Sequence, residues 1–133
     1  MIARLQAEAD AVLAAVEYLR SVPSADISRL GIAGRSLGGI VTLFAISRNR
    51  SFRAAVDTAG GLLVRSFSPA LQAALRQAAR AVTCLVLLMD AQNDRPRGDT
   101  DALRGEGRRG VTAPADHVSA VYAKKSRLAR ARE

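Results

Sequence analysis

A serine flanked by glycines is the feature of this sequence with the clearest chemical meaning. Residues 34–38 form a G-x-S-x-G pattern with Ser36 at its centre. A hydroxyl held at a sharp turn between a strand and a helix can act as a nucleophile on a carbonyl carbon. In that arrangement Gly34 and Gly38 are expected to leave room for tightly folded backbone. The Leu37 backbone N–H lies at a helix N-terminus, where it can stabilise an oxyanion. The pattern therefore predicts acyl transfer through Ser36.

The segments on either side of the motif supply the strand and the helix that this chemistry requires. Residues 29–33 have strand character, and residues 40–47 form an apolar run typical of a buried helix. Between them, a glycine-rich turn ending at Gly39 is predicted. The alternative interpretation of the motif is a glycine-rich turn between strand and helix with no chemistry.

The remaining periodicity predicts an alternation of helices and strands. An amphipathic helix is predicted over 2–20, a strand over 52–57, and a helix over 68–80 that begins with a Ser-Pro cap. Residues 81–89 are apolar throughout, which favours a parallel strand covered on both faces. We therefore expect an α/β fold with a parallel sheet flanked by helices.

Residues 22–61 resemble the nucleophile-elbow region of the α/β-hydrolases, and the dienelactone hydrolase and prolyl-oligopeptidase-like group in particular. The likeness lies in the acidic turn and strand over 24–32 and in the motif that follows. Many dienelactone hydrolases have cysteine at the nucleophile position, so Ser36 favours the serine esterase or peptidase branch. The resemblance implies a partial α/β-hydrolase fold, a small acyl compound or a peptide as substrate, and no metal or organic cofactor.

The same resemblance suggests the other members of a Ser-Asp-His triad. Residues 86–94 are similar to the later strand of the family, whose following turn supplies the acid. Asp94 is the acid by that alignment, and Asp90 is a second candidate. His117 is the only histidine, so any triad formed within the chain must use it as general base. The alternatives are a turn-capping carboxylate for Asp94 and a solvated loop histidine for His117.

The resemblance extends over about residues 1–94, which we expect to be the C-terminal half of a hydrolase core. The family's earlier strands have no counterpart, nor has the loop that gives the second oxyanion-hole N–H. A truncated product, or a missing half supplied by a complementing chain or homo-oligomer, would explain this, and a shift of the coding frame near Asp94 would explain the unusual composition after it. We expect weak or absent turnover by the chain alone, and a non-catalytic remnant kept for partner contacts is the alternative function.

Charge is concentrated at the end of the chain. The net charge is +8, of which residues 95–133 carry +5, and their composition favours an atypical, largely disordered segment. A solvated surface is the preferred interpretation over nucleic-acid binding, because no aromatic residues are interleaved with the basic ones for base stacking. A lone Cys84 within an apolar run is expected to be a buried thiol. With no apolar stretch long enough for a membrane span, these features suggest a cytosolic protein.

Overall fold

The computed structural model describes residues 1–60 and 68–89. In chain order the main elements are α1 (Ile2–Arg20), β1 (Leu30–Arg35), α2 (Leu37–Arg48), β2 (Phe52–Thr58), α3 (Pro69–Ala81) and β3 (Leu85–Met89). A short 3₁₀ helix at Ile27–Arg29 directly precedes β1.

The described part of the chain contains one parallel sheet, with strand order β1-β2-β3. Two strand–helix–strand units build it, because α2 connects β1 to β2 and α3 lies between β2 and β3 in the chain. The carboxyl ends of the three strands lie side by side: Arg35 pairs with Thr58, which pairs in turn with Met89. The predicted parallel α/β sheet is confirmed, and loops at this edge are placed to form a site.

The second helix lies at the centre of the core. It contacts β1 and β2 on one side, while α1 and α3 pack against it. The residues of its apolar run, from Ile40 to Ile46, are all buried. A helix that is apolar on every side needs such an environment, and this explains why the sequence here shows no polar face.

The first helix packs through one side only, as its amphipathic spacing predicts. Leu5, Ala9 and Val16 are buried, and their spacings of four and seven residues place them on one face of the helix. At the surface an ion pair between Asp10 and Arg48 joins α1 to the end of α2. Because both side chains are exposed, the pair contributes at most about 1 kcal/mol, and the apolar contacts hold the helix in place.

The ends of two strands differ from the prediction. β1 continues to Arg35, because the turn that follows is a single residue and not a longer glycine loop. β3 begins only at Leu85, since α3 extends to Ala81. The expectation that this strand is covered on both faces is wrong for the described residues: Leu85 is 52% exposed, and of the five strand residues Val86 alone is buried.

Two smaller predictions are confirmed. The Ser68 hydroxyl accepts a hydrogen bond from the Ala70 N–H at 3.1 Å, as expected of a serine cap followed by proline. Cys84 is a free, buried thiol, and its burial raises the pKa above the usual value. Among the helices of residues 1–60 and 68–89, none is long and apolar enough to cross a bilayer.

Candidate active site

Ser36 is the hinge between β1 and α2. It follows the last strand residue and is the N-cap of the helix, with φ 56° and ψ −122°. A positive φ is uncommon for a residue with a Cβ, and conformations of this kind cost about 1–3 kcal/mol. One strained residue thus reverses the chain from strand to helix, which is the arrangement that the G-x-S-x-G pattern predicted.

Backbone hydrogen bonds hold this hinge from both sides. The Ser36 N–H donates to the Thr58 carbonyl oxygen at 2.8 Å, so the end of β2 fixes the strand side. The Ser36 carbonyl oxygen accepts from the N–H groups of Gly39, at 2.9 Å, and Ile40, at 3.3 Å, which closes the first turn of the helix. The strained conformation persists because the structure around it leaves no relaxed alternative.

The hinge leaves Ser36 exposed at the carboxyl edge of the sheet, and its side chain makes no capping hydrogen bond to the helix. Leu37 is the first residue of α2 and is 48% exposed. As the first residue of the helix, Leu37 has no carbonyl of an earlier turn to donate to, so its N–H is free of the helix's own ladder. A hydroxyl and a helix N-terminus therefore lie next to one another on an accessible edge.

The two glycines of the motif differ in how closely other atoms approach them. A Cβ on Gly34 would overlap the Gly38 carbonyl and lie 2.5 Å from the Thr42 hydroxyl, so the expectation is confirmed there. The expectation for Gly38 is wrong, because a Cβ at that position would meet nothing within 4 Å. Gly39 is the second constrained position: its Cβ would overlap the carboxylate of Asp57 and lie 3.1 Å from the Cα of Gly60.

Asp57 is a buried carboxylate beside the hinge that the sequence analysis missed. It is 4% exposed, and its strand position pairs with Gly34. Its Oδ1 accepts a hydrogen bond from the Gly60 N–H at 3.0 Å. The turn after β2 is also anchored to β3, since the Ala59 N–H donates to the Met89 carbonyl oxygen at 2.8 Å. Ala59, with φ 58°, and Ser36 are the non-glycine residues of positive φ in the described ranges, and both lie at this edge.

The remaining predicted site residues lie outside the described residues. These are Asp94, the alternative acid Asp90 and the histidine His117, and the basic segment 95–133 lies outside them as well. The structure therefore brings together Ser36, the Leu37 N–H and the glycines of the motif, while the acid and the base stay predictions.

The sequence of the chain matches a family model over more than half of its length. The model of the prolyl oligopeptidase family matches residues 5–80, which include most of α1, the hinge at Ser36 and nearly all of α3. The chain belongs to the prolyl oligopeptidase family. This confirms the prolyl-oligopeptidase side of the resemblance; a closer likeness to dienelactone hydrolases stays a prediction.

Among solved structures, the chain is similar to a puromycin-hydrolyzing peptidase of Mycobacterium tuberculosis. The two share 22% sequence identity with a TM-score of 0.61 over 74% of this chain, and that likeness shows a partial α/β-hydrolase fold. The chain spans 19% of the length of that peptidase. No curated protein sequence matches the chain.

Proposed function

We propose that this protein is a serine hydrolase that cleaves acyl bonds of esters or peptides, with Ser36 as the nucleophile. The observation that supports this most strongly is the conformation of Ser36 itself. A single exposed residue at φ 56° joins the end of a parallel strand to the start of a buried helix. Membership of a peptidase family supports the same reaction class.

The proposed reaction is acyl transfer in two steps. The Ser36 oxygen attacks the substrate carbonyl carbon while its proton passes to a general base, and a tetrahedral oxyanion forms. The Leu37 N–H at the start of α2 stabilises the negative oxygen with help from the helix dipole. Collapse expels the leaving group with the proton from the base, and water then hydrolyses the acyl-enzyme by the same sequence of steps.

The base and the acid of this mechanism are proposed from the family resemblance. His117 takes the serine proton, and Asp94 orients the imidazole and stabilises its charged form. Both occur after Ser36 in the order Ser, Asp, His that this fold uses. Asp90 is the second choice for the acid.

The number of oxyanion donors is expected to set the rate of the proposed reaction. The residues described supply the Leu37 N–H, and the family's second donor comes from a loop that follows an earlier strand. Removing one such donor typically costs about 10²–10³ in rate. We therefore expect the rate to depend on whether a second N–H reaches the oxyanion beside that of Leu37.

The experiment uses a p-nitrophenyl ester and, as an amide substrate suggested by the structural relative, puromycin. Wild-type chain is expected to release close to one equivalent of p-nitrophenol in a burst and then turn over slowly. Ser36→Ala should abolish the burst, whereas Ser47→Ala, at a part-buried serine of α2 far from the strand edge, should leave it intact.

Two substitutions in the same assay test the proposed partners. Asp94→Asn and His117→Gln are expected to slow both phases, with the circular dichroism spectrum unchanged. A folded wild-type chain that gives no burst with the ester and no cleavage of puromycin would favour the alternative, a hydrolase-like domain kept for partner contacts. An equal burst from Ser36→Ala would remove Ser36 as the nucleophile.

A further inference from the structure

The buried carboxylate of Asp57 touches the two backbone segments that adjoin the nucleophile. On one side is the first turn of α2, where a Cβ on Gly39 would overlap Oδ1 and lie 2.9 Å from Cγ. On the other side is the turn after β2, where the Gly60 N–H donates to Oδ1 at 3.0 Å. A Cβ on Gly60 would lie 2.7 Å from Oδ2. Glycine at both positions lets the backbone close on the carboxylate.

These two segments are the ones that hold Ser36 in its strained conformation. The turn after β2 directly follows Thr58, the last residue of the strand, whose carbonyl oxygen accepts the Ser36 N–H. The first turn of α2 contains Gly39, whose N–H donates to the Ser36 carbonyl oxygen. A strained residue keeps its conformation only if its neighbours are fixed, and the Asp57 side chain lies between those neighbours.

Burying a carboxylate costs free energy unless hydrogen bonds or a charge partner compensate, whereas an apolar side chain at this position would carry no such cost. Asp57 is 4% exposed at an inward position of β2, where Phe52 and Ala55 also face the core. A buried polar group is retained where its hydrogen bonds fix backbone that would otherwise be free to move. We propose that Asp57 is a positioning residue, whose carboxylate fixes the turn after β2 against the first turn of α2 and thereby holds Ser36 ready to react. The effect of Asp57 on the reactivity of Ser36 rests on the proposed function, whereas its effect on the backbone is independent of that function.

The first test is the rate at which a fluorophosphonate labels Ser36 in the full chain. Asp57→Ala removes the acceptor, and we expect labelling to be slowed about tenfold or more, because small misplacements of a reacting group have effects of this size. Asp57→Asn keeps an acceptor oxygen of the same reach and should restore a rate close to that of wild type. Val16→Ala, which shortens a buried side chain on α1, is the control: it should lower the melting temperature and leave the labelling rate of the folded chain unchanged.

The second test is amide hydrogen exchange, which needs no activity. In Asp57→Ala the Gly60 amide loses its acceptor, and its protection should fall about tenfold, the effect of losing one hydrogen bond of ordinary strength. The protection of the Ser36 amide should fall with it, because its acceptor Thr58 adjoins the turn that is no longer held. The amide of Ala9 on α1 should keep its protection, and Asp57→Asn should show the wild-type pattern. Both amides keeping full protection in Asp57→Ala would overturn the inference.

The two measurements separate failure of this inference from failure of the proposed function. If wild type is not labelled, the proposed function fails, and hydrogen exchange alone decides the role of Asp57. If wild type is labelled and Asp57→Ala is labelled equally fast, the positioning role is refuted while Ser36 remains the nucleophile. If Asp57→Ala does not fold, Asp57→Ser takes its place with the same expectations. Failure of both to fold would show that Asp57 serves the whole fold, and the inference would be wrong.

Discussion

Replacing Ser36 with glycine should give a more stable chain than replacing it with alanine, although both changes remove the same hydroxyl. Position 36 has φ 56° and ψ −122°, a conformation that costs about 1–3 kcal/mol for a residue with a Cβ and almost nothing for glycine. Glycine also lowers the free energy of unfolding by about 0.4–1 kcal/mol relative to alanine, because it gives the unfolded chain more conformational freedom. The side chain makes no capping hydrogen bond that either change would lose. We expect a net difference of about 1 kcal/mol or slightly more in favour of Ser36→Gly.

Urea unfolding followed by circular dichroism measures this difference directly. With an m-value of about 1–3 kcal/mol/M, the midpoint of Ser36→Gly should lie roughly 0.5 M above that of Ser36→Ala, with equal m-values. The sign of the difference is the critical result. At an ordinary helix or strand position glycine is worse than alanine by about 0.5–1 kcal/mol. An alanine variant that equals or exceeds the glycine variant would therefore refute a strained hinge at this position.

Three further predictions concern other positions of the fold. Gly38→Ala should raise the free energy of unfolding by up to about 1 kcal/mol, because alanine is the better helix former and its Cβ meets open space. Gly39→Ala should lower the free energy of unfolding by about 1–3 kcal/mol, because its Cβ overlaps the buried carboxylate of Asp57. Equal effects of the two substitutions in urea unfolding would contradict this. Ser68→Ala should lower the free energy of unfolding by about 1 kcal/mol through loss of the cap of α3, and an unchanged urea midpoint would count against that cap. Burial raises the pKa of Cys84, so the folded chain keeps the thiol proton to higher pH than the unfolded chain, and stability should fall as the pH rises above about 8.5. Comparison of urea midpoints at pH 7 and pH 10 should show a smaller fall in Cys84→Ala, and identical falls would exclude this thiol as the cause.

The elements of the fold could be predicted because local signals and tertiary packing agree. The run from Ile40 to Ile46 is apolar apart from Thr42, and the structure buries it between the sheet and two helices. Ser68 followed by Pro69 marks a helix start that needs no tertiary information. The position of Ser36 at a strand-to-helix hinge was predictable for the same reason, since the motif lies between a strand pattern and a helix pattern.

Asp57 could not be predicted as part of the site, and a register shift explains why. Strict alternation from the buried Phe52 would turn Asp57 towards the exposed face of the sheet. The pairing of β1 with β2 shifts between Leu30 and Gly31, which inserts one extra residue in β2 and reverses the faces beyond it. Ala55 and Asp57 consequently face the core. A bulge of this kind leaves no clear mark in a strand of small residues.

Of the two glycines predicted to need a small side chain, Gly34 does, but Gly38 does not, and the adjacent Gly39 does instead. The motif suggests that Gly34 and Gly38 are equivalent, since they lie two residues before and after Ser36. Close approach in the structure depends on what packs against each backbone atom, and the turn after β2 reaches Gly39 and not Gly38. Such contacts between distant segments are set by tertiary structure, so spacing in the sequence does not reveal them.

Mass spectrometry of the chain after reaction with a fluorophosphonate tests the central claim, that Ser36 is an activated nucleophile. We predict one phosphonyl group per chain, located at Ser36 by fragmentation of the labelled peptide, and no label on Ser36→Ala. No adduct on folded wild-type chain, or an adduct that persists in Ser36→Ala, would contradict it.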